Sequence, residues 1–159
     1  SYINDMTMKE KILEAFKALG FKVEDLDGTA YGFHYEGRNF LLLLNEEDER
    51  FLNIALPCVL EPDDVDDQVF NEAMEKVNST LRYVKAYKAF GGMTLFYERE
   101  ISGGEDLKEV IRRMILHIEA GHFFLHHRLL KSKDDDGDSG SEGGSDGTEV
   151  AESNDGEVA

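Results

Sequence analysis

The chain has 159 residues, 34 of them acidic against 17 basic for a formal net charge of −17, and 41% are hydrophobic, with ten Phe, six Tyr and no Trp. That length holds one ordinary domain with a sizeable core, and no stretch approaches the ~18 uninterrupted apolar residues needed to cross a bilayer. So acidic a body would repel a phosphate backbone and lacks the counterion release that drives nucleic-acid binding, so the expected partners include neither nucleic acid nor a membrane.

The first expected element is a helix. Thr7-Met8-Lys9-Glu10 has the form of a capping box, and Met8, Ile12, Phe16 and Leu19 recur at helical spacing before Gly20 ends the run. Phe21 to Glu24 alternates like a short strand. From Thr29 to Leu60 the period is two: Tyr31, Phe33 and Tyr35 share a face, and Glu36-Gly37-Arg38-Asn39 reads as a turn. The run Phe40-Leu41-Leu42-Leu43-Leu44 predicts a central strand covered on both faces. After a charged turn from Asn45 to Arg50, Leu52, Ile54 and Leu56 point one way, and Pro57 is expected to stop the ladder.

Glu61-Pro62-Asp63-Asp64 is expected to open a second helix, because Pro is tolerated in a first turn and carboxylates favour the positive end of the helix dipole. Its buried stripe is Val69 or Phe70, then Ala73, Val77 and Leu81. Two alternating strands follow, Tyr83 to Phe90 and Met93 to Ile101, with Gly91-Gly92 expected to supply the positive φ angles of a tight hairpin. After Ser102-Gly103-Gly104, Leu107, Ile111, Met114, Ile118, Leu125 and Leu129 keep one face of the longest helix. The order α-β-β-β-β-α-β-β-α predicts a single α+β domain over residues 1–130, an antiparallel sheet with helices packed on it. Residues 131–159 hold ten acidic residues, two lysines, six glycines and no aromatic residue. Such a segment buries too little apolar surface to offset its ordering entropy, which predicts a disordered acidic tail.

Three short motifs fall inside this order. A strand ends in Ile54-Ala55-Leu56-Pro57, a helix closes through Glu75-Lys76-Val77-Asn78-Ser79, and a hairpin pairs Val84-Lys85-Ala86-Tyr87 with Met93-Thr94-Leu95-Phe96-Tyr97. On these motifs the chain resembles the type III secretion chaperone-like fold, and Leu56 to Leu125 looks like its YbjN-type branch. The resemblance implies a compact, often dimeric domain whose relatives either cradle an extended client segment or have no established activity. It brings no catalytic residues with it.

Histidines gather late in the last helix. Glu119, His122 and His126 form a Glu-x-x-His-x-x-x-His pattern, with His122 and His126 at i and i+4, a spacing that offers three N or O ligands to Zn²⁺ or a similar ion. The same imidazoles, titrating between pH 5 and 8, would make a pH sensor, while His117 and His127 are expected to point elsewhere. Asp134, Asp136 and Asp138 alternate as in a calcium loop, but Ser139 and Ser145 stand where that loop needs Gly and Glu. Cys58, the one cysteine, has no disulfide partner and is expected to be a buried, inert thiol in a reducing, cytoplasmic setting. No nucleophile motif or Gly-rich phosphate loop is present, so neither an enzyme nor a cofactor is expected. The aromatic surplus points instead to an interaction surface on Tyr83, Lys85, Tyr87, Tyr97, Phe123 and Phe124. The expected function is a non-enzymatic, chaperone-like interaction domain that forms a homodimer and binds a protein or peptide segment, with the tail attracting basic partners.

Overall fold

The computed structural model describes residues 5–45 and 47–131. The expected acidic tail and its calcium-loop-like segment lie outside the described residues, apart from Lys131. Helix α1 (Met8–Ala18) starts at the capping box: Glu10 N donates to Thr7 Oγ1 at 3.1 Å and Thr7 N donates to Glu10 Oε1 at 2.9 Å. It buries Ile12, Ala15 and Phe16. The expected strand after Gly20 shrinks to β1 (Glu24–Asp25), because Phe21 turns its ring to Phe33, 5.1 Å away, instead of joining a ladder. Strands β2 (Ala30–Tyr35) and β3 (Arg38–Leu43) meet at a two-residue turn, Glu36-Gly37, in which both residues have positive φ. That is the twist a tight hairpin requires.

Strand β4 (Phe51–Leu60) runs through Pro57. The expected stop is absent because Pro57 sits in a bulge between Leu56 and Leu60, where no ladder N–H is needed. Cys58 adopts φ +52° there and its thiol is half-buried, not buried. After a single 3₁₀ turn, Pro62–Asp64, the extended residue Val65 breaks the path, so helix α2 (Asp67–Thr80) begins later than expected, at Asp66, whose carboxylate accepts from Val69 N at 2.9 Å. Strands β5 (Lys85–Ala89) and β6 (Gly92–Glu100) turn at Phe90-Gly91, and Gly92 belongs to the strand, opposite Ala89. Helix α3 (Leu107–Phe123) is capped by Asp106 and continues in π-helical geometry over Phe124–Leu130. Among the described residues no helix is long and apolar enough to cross a membrane.

The six strands form one antiparallel sheet in the order β1-β2-β3-β4-β6-β5. Cross-strand register places Tyr31, Leu42, Ile54 and Tyr97 in one row, on the side where the three helices pack. Burying side chains such as Leu42, Ile54 and Leu95 contributes about 1.5–3 kcal/mol each. The leucine run is therefore not covered on both faces: Phe40, Leu42 and Leu44 are buried, while Leu41 and Leu43 are half-buried on the helix-free side.

Two contacts hold the hairpin end of the sheet. Thr94 Oγ1 accepts from Cys58 N at 3.1 Å and donates to Ala89 O at 2.6 Å, which ties the bulge to the β5–β6 hairpin. The bulge then presses on Gly92, where an added Cβ would stand 2.5 Å from Leu60 O and 2.7 Å from Cys58 Sγ. Gly92→Ala is expected to lower stability by about 1–3 kcal/mol, read as a reduced urea midpoint with an unchanged slope.

At the outer edge, Ala86 points its N–H and C=O away from β6. Asn78 meets both: Ala86 N donates to Asn78 Oδ1 at 2.7 Å and Asn78 Nδ2 donates to Ala86 O at 2.9 Å. One amide side chain thus takes the place of a seventh strand at the centre of the edge. Asn78→Ala should cost about 1–3 kcal/mol by leaving the Ala86 groups unpaired, and Asn78→Asp, which keeps the acceptor alone, should fall between wild type and the alanine variant in the same denaturation assay.

Candidate functional site

Helix α3 does not assemble the expected metal triad. Glu119 is drawn to the start of β3, where Arg38 Nη2 donates to Glu119 Oε1 at 2.7 Å, and Arg38 Nε and Glu119 Oε2 are buried without partners. His126 is held by a backbone group, with its Nε2 2.7 Å from Val59 O, so that nitrogen carries the proton and donates. The His122 and His126 rings lie 4.6 Å apart. Among the described residues, no group of three His, Cys, Asp or Glu is placed to hold a metal ion. Burial first, then the nearby His126, Arg38 and His127, push His122 down to about 4. A group that low does not switch between pH 5 and 8, which removes His122 from the expected sensor.

The expected aromatic surface divides into three places. Simple alternation would put Tyr83 beside Lys85 and Tyr87, but Val84 N donates to Arg82 O at 2.7 Å across Tyr83, whose φ is +70°. This is a γ-turn of the rare positive-φ kind, a strained state that costs of order 1–3 kcal/mol. It throws the Tyr83 ring onto Tyr97 on the helix side, parallel within 1° and 5.3 Å between centroids. Lys85 and Tyr87 stay on the helix-free side, where Tyr87 stacks on Phe96 at 4.3 Å. Phe123 is exposed and stacks on His127 at 4.4 Å, while Phe124 is half-buried against the core.

Tyr83 and Tyr97 open onto a cleft of about 430 Å³ between β6 and α3, lined also by Glu98, Arg99, Val110, Arg113, Met114 and His117. His117, expected to point elsewhere, is 5% exposed and lies 5.1 Å from the Tyr83 ring and 5.6 Å from the Tyr97 ring. Its Nδ1 is sealed from solvent with no hydrogen-bond partner. Burial, then the charge of Arg113, lower its pKa, and burial, then Tyr83, raise that of Tyr97. The signal was present in the sequence: Val110, Met114, His117 and Gly121 are all buried and stand at helical spacing, so the buried face of α3 is wider than its apolar stripe. At the cleft's rim Glu105 accepts from Ser102 N and Gly103 N, which hold its carboxyl at about 2, and its Oε2 lies 3.8 Å from Arg99 Nη2.

No protein-family model and no curated protein matches the chain. Among solved structures it is similar to the crystal structure of YbjN from E. coli, a proposed transcription regulator, with a TM-score of 0.58 and 11% identity over 79% of this chain and 98% of that one. At that identity the likeness shows the fold alone. The chain is an α+β domain, a six-stranded antiparallel sheet with three helices, with a YbjN-like fold. The expected link to type III secretion chaperones does not follow from it.

Because the His122 imidazole takes up a proton near 6.5 in an unfolded chain and near 4 in this fold, the unfolded state binds more protons between those values. The stabilising difference is complete above about pH 6.5 and is lost as pH falls toward 4. Urea midpoints should therefore decline across that window, and His122→Gln should flatten the decline, leaving the part due to His117. An NMR titration placing His122 above pH 6 in the folded chain would contradict this.

Proposed function

We propose that this is a non-enzymatic protein-interaction domain that takes a basic, apolar-bearing segment of a partner protein against the helix-free face of its sheet. The observation that carries the reading is the continuity of that face. Register aligns Leu41, Ala55, Phe96 and Lys85 across four strands, with Leu43, Leu26 and Tyr87 beside them, and no described helix covers the row; Ala55 and Phe96 are themselves buried, Phe96 against the Tyr87 and Phe90 rings. Leu26, Tyr87 and Phe90 are exposed large apolar side chains. Exposed and half-exposed apolar side chains gathered on one helix-free sheet face mark an association surface more than a scatter of single exposed residues does.

Charge selects the occupant. Glu24 and Glu98 flank the apolar row on the same face and have no ion-pair partner among the described residues. Asn53, opposite Glu98, has a buried Oδ1 without a donor. A strand-like segment alternating apolar and basic side chains would bury the first against Leu41, Leu43 and Tyr87 and set the second beside the carboxylates. Electrostatics would then govern encounter rate and specificity more than affinity. The acidic residues of the segment 132–159 would extend that attraction, and the same acidity weighs against direct contact with a phosphate backbone. That YbjN is described as a proposed transcription regulator is compatible with a domain that works by contact, and among the described residues no constellation of converging catalytic groups favours an enzyme.

An amide NMR titration with an alternating Leu-Lys peptide tests the reading. Shifts should concentrate on Leu41, Leu43, Tyr87 and Phe96, an alternating Leu-Glu peptide should leave them unmoved, and added salt should weaken binding. Shifts confined to the helices would overturn the reading. So would sedimentation showing that the face is already occupied by a second copy in a dimer that Leu41→Ser dissociates, which would assign it to self-association.

A further inference from the structure

The cleft between β6 and α3 lies on the opposite side of the sheet from the proposed docking face, and its chemistry is different. In a chain of net charge −17, it brings together two arginines, Arg99 and Arg113, beside a single acidic residue, Glu98. Arg99 stands opposite Leu52, and so projects to the helix side, whereas Glu98, which also lines the cleft, stands opposite Asn53, so that alternation directs its side chain to the other face. Arg113 lines the cleft with no ion-pair partner among the described residues. Tyr83 lines it through a strained γ-turn, one ring face on Tyr97 and the residue still 59% exposed. Strain of this kind persists where it places a side chain for use. His117, nineteen-twentieths buried, lines the same wall beside the Tyr83 and Tyr97 rings, its unpartnered Nδ1 sealed from solvent. The volume of about 430 Å³ falls in the range of small-molecule sites.

We propose that this cleft binds a small organic anion carrying a planar ring, with the ring stacked on Tyr83 beside His117 and the anionic group held by Arg113 and Arg99. Guanidinium groups suit planar carboxylates and phosphates, which accept two parallel hydrogen bonds, and the exposed phenol face suits a flat ring. Glu105, whose carboxylate is held by the Ser102 and Gly103 backbone, also lies 3.8 Å from Arg99 Nη2 and shares that guanidinium, which leaves Arg113 as the principal ligand of the anionic group. This proposal stands independently of the peptide-binding reading.

The test is calorimetry and His117 side-chain NMR on the full chain with four probes: 4-hydroxyphenylacetate, AMP, adenosine and acetate. At least one of the two ring-bearing anions should bind and shift the His117 ring resonances, the two arms telling carboxylate from phosphate. Adenosine, which lacks the charge, and acetate, which lacks the ring, should bind at least about tenfold more weakly. Arg113→Gln, at an exposed position, should weaken binding about tenfold or more with the rest of the spectrum unchanged, and Tyr83→Ala should weaken it too. The proposal is wrong if neither ring-bearing anion moves His117 at millimolar concentration, if adenosine binds as well as AMP, or if Arg113→Gln keeps wild-type affinity.

Discussion

The register that sets Tyr31, Leu42, Ile54 and Tyr97 in one row also sends Leu41, Ala55 and Phe96 to the other side, because successive side chains on a strand alternate. Three helices are enough to cover the first row and the core gathers there. A slip of one residue anywhere in β3, β4 or β6 would exchange the two sets, so the packing of α1, α2 and α3 and the character of the open face are one constraint. The apolar content of the open face is then notable, since a solvent-facing sheet surface would ordinarily alternate to polar residues. Here it carries leucines and a stacked Tyr87–Phe96 pair.

A one-sided sheet with two free edges invites unwanted pairing, and the chain manages each edge differently. At one end β1 is only two residues long, too short to template a strand. At the other, the amide of Asn78 occupies the N–H and C=O of Ala86 from the neighbouring helix. The bulge at Pro57-Cys58 adds a third device, bending β4 where it meets the hairpin and locking against Gly92 through Thr94. These arrangements leave the flat face, not the edge, as the surface open to a partner.

Electrostatically the molecule is uneven. Its overall charge is strongly negative, yet Arg99, Arg113 and His117 share a cleft beside α3, and Arg38 reaches Glu119 on the same helix. The late histidines, a conspicuous cluster in the sequence, are divided among separate tasks: His126 on the Val59 carbonyl, His127 under Phe123, and His122 kept neutral by burial. Helical spacing put His122 and His126 within reach of each other, but Arg38 and Val59, distant in sequence, decided what the flanking ligand positions would do.

Local signals were enough to establish the order of elements, the capping box at Thr7, the tight hairpins and the apolar stripes of α1 and α3, since each depends on residues within one turn or one pair of strands. The boundaries that moved did so for non-local reasons. Pro57 is tolerated because β6 accommodates a bulge, Gly92 is a strand residue because Leu60 and Cys58 crowd it, and Tyr83 leaves the strand pattern because its ring has Tyr97 to stack on. His117 points elsewhere than His122 and His126, against Tyr83 and Tyr97, and it is buried because a helix face is buried by whatever packs against it; here the β5–β6 end of the sheet widened that face beyond its apolar residues. Periodicity read along a chain identifies which side chains can share a face. Which faces are covered, which polar atoms are left without partners and which cations meet in a cleft depend on contacts between residues far apart in sequence, and only the packed structure decided them.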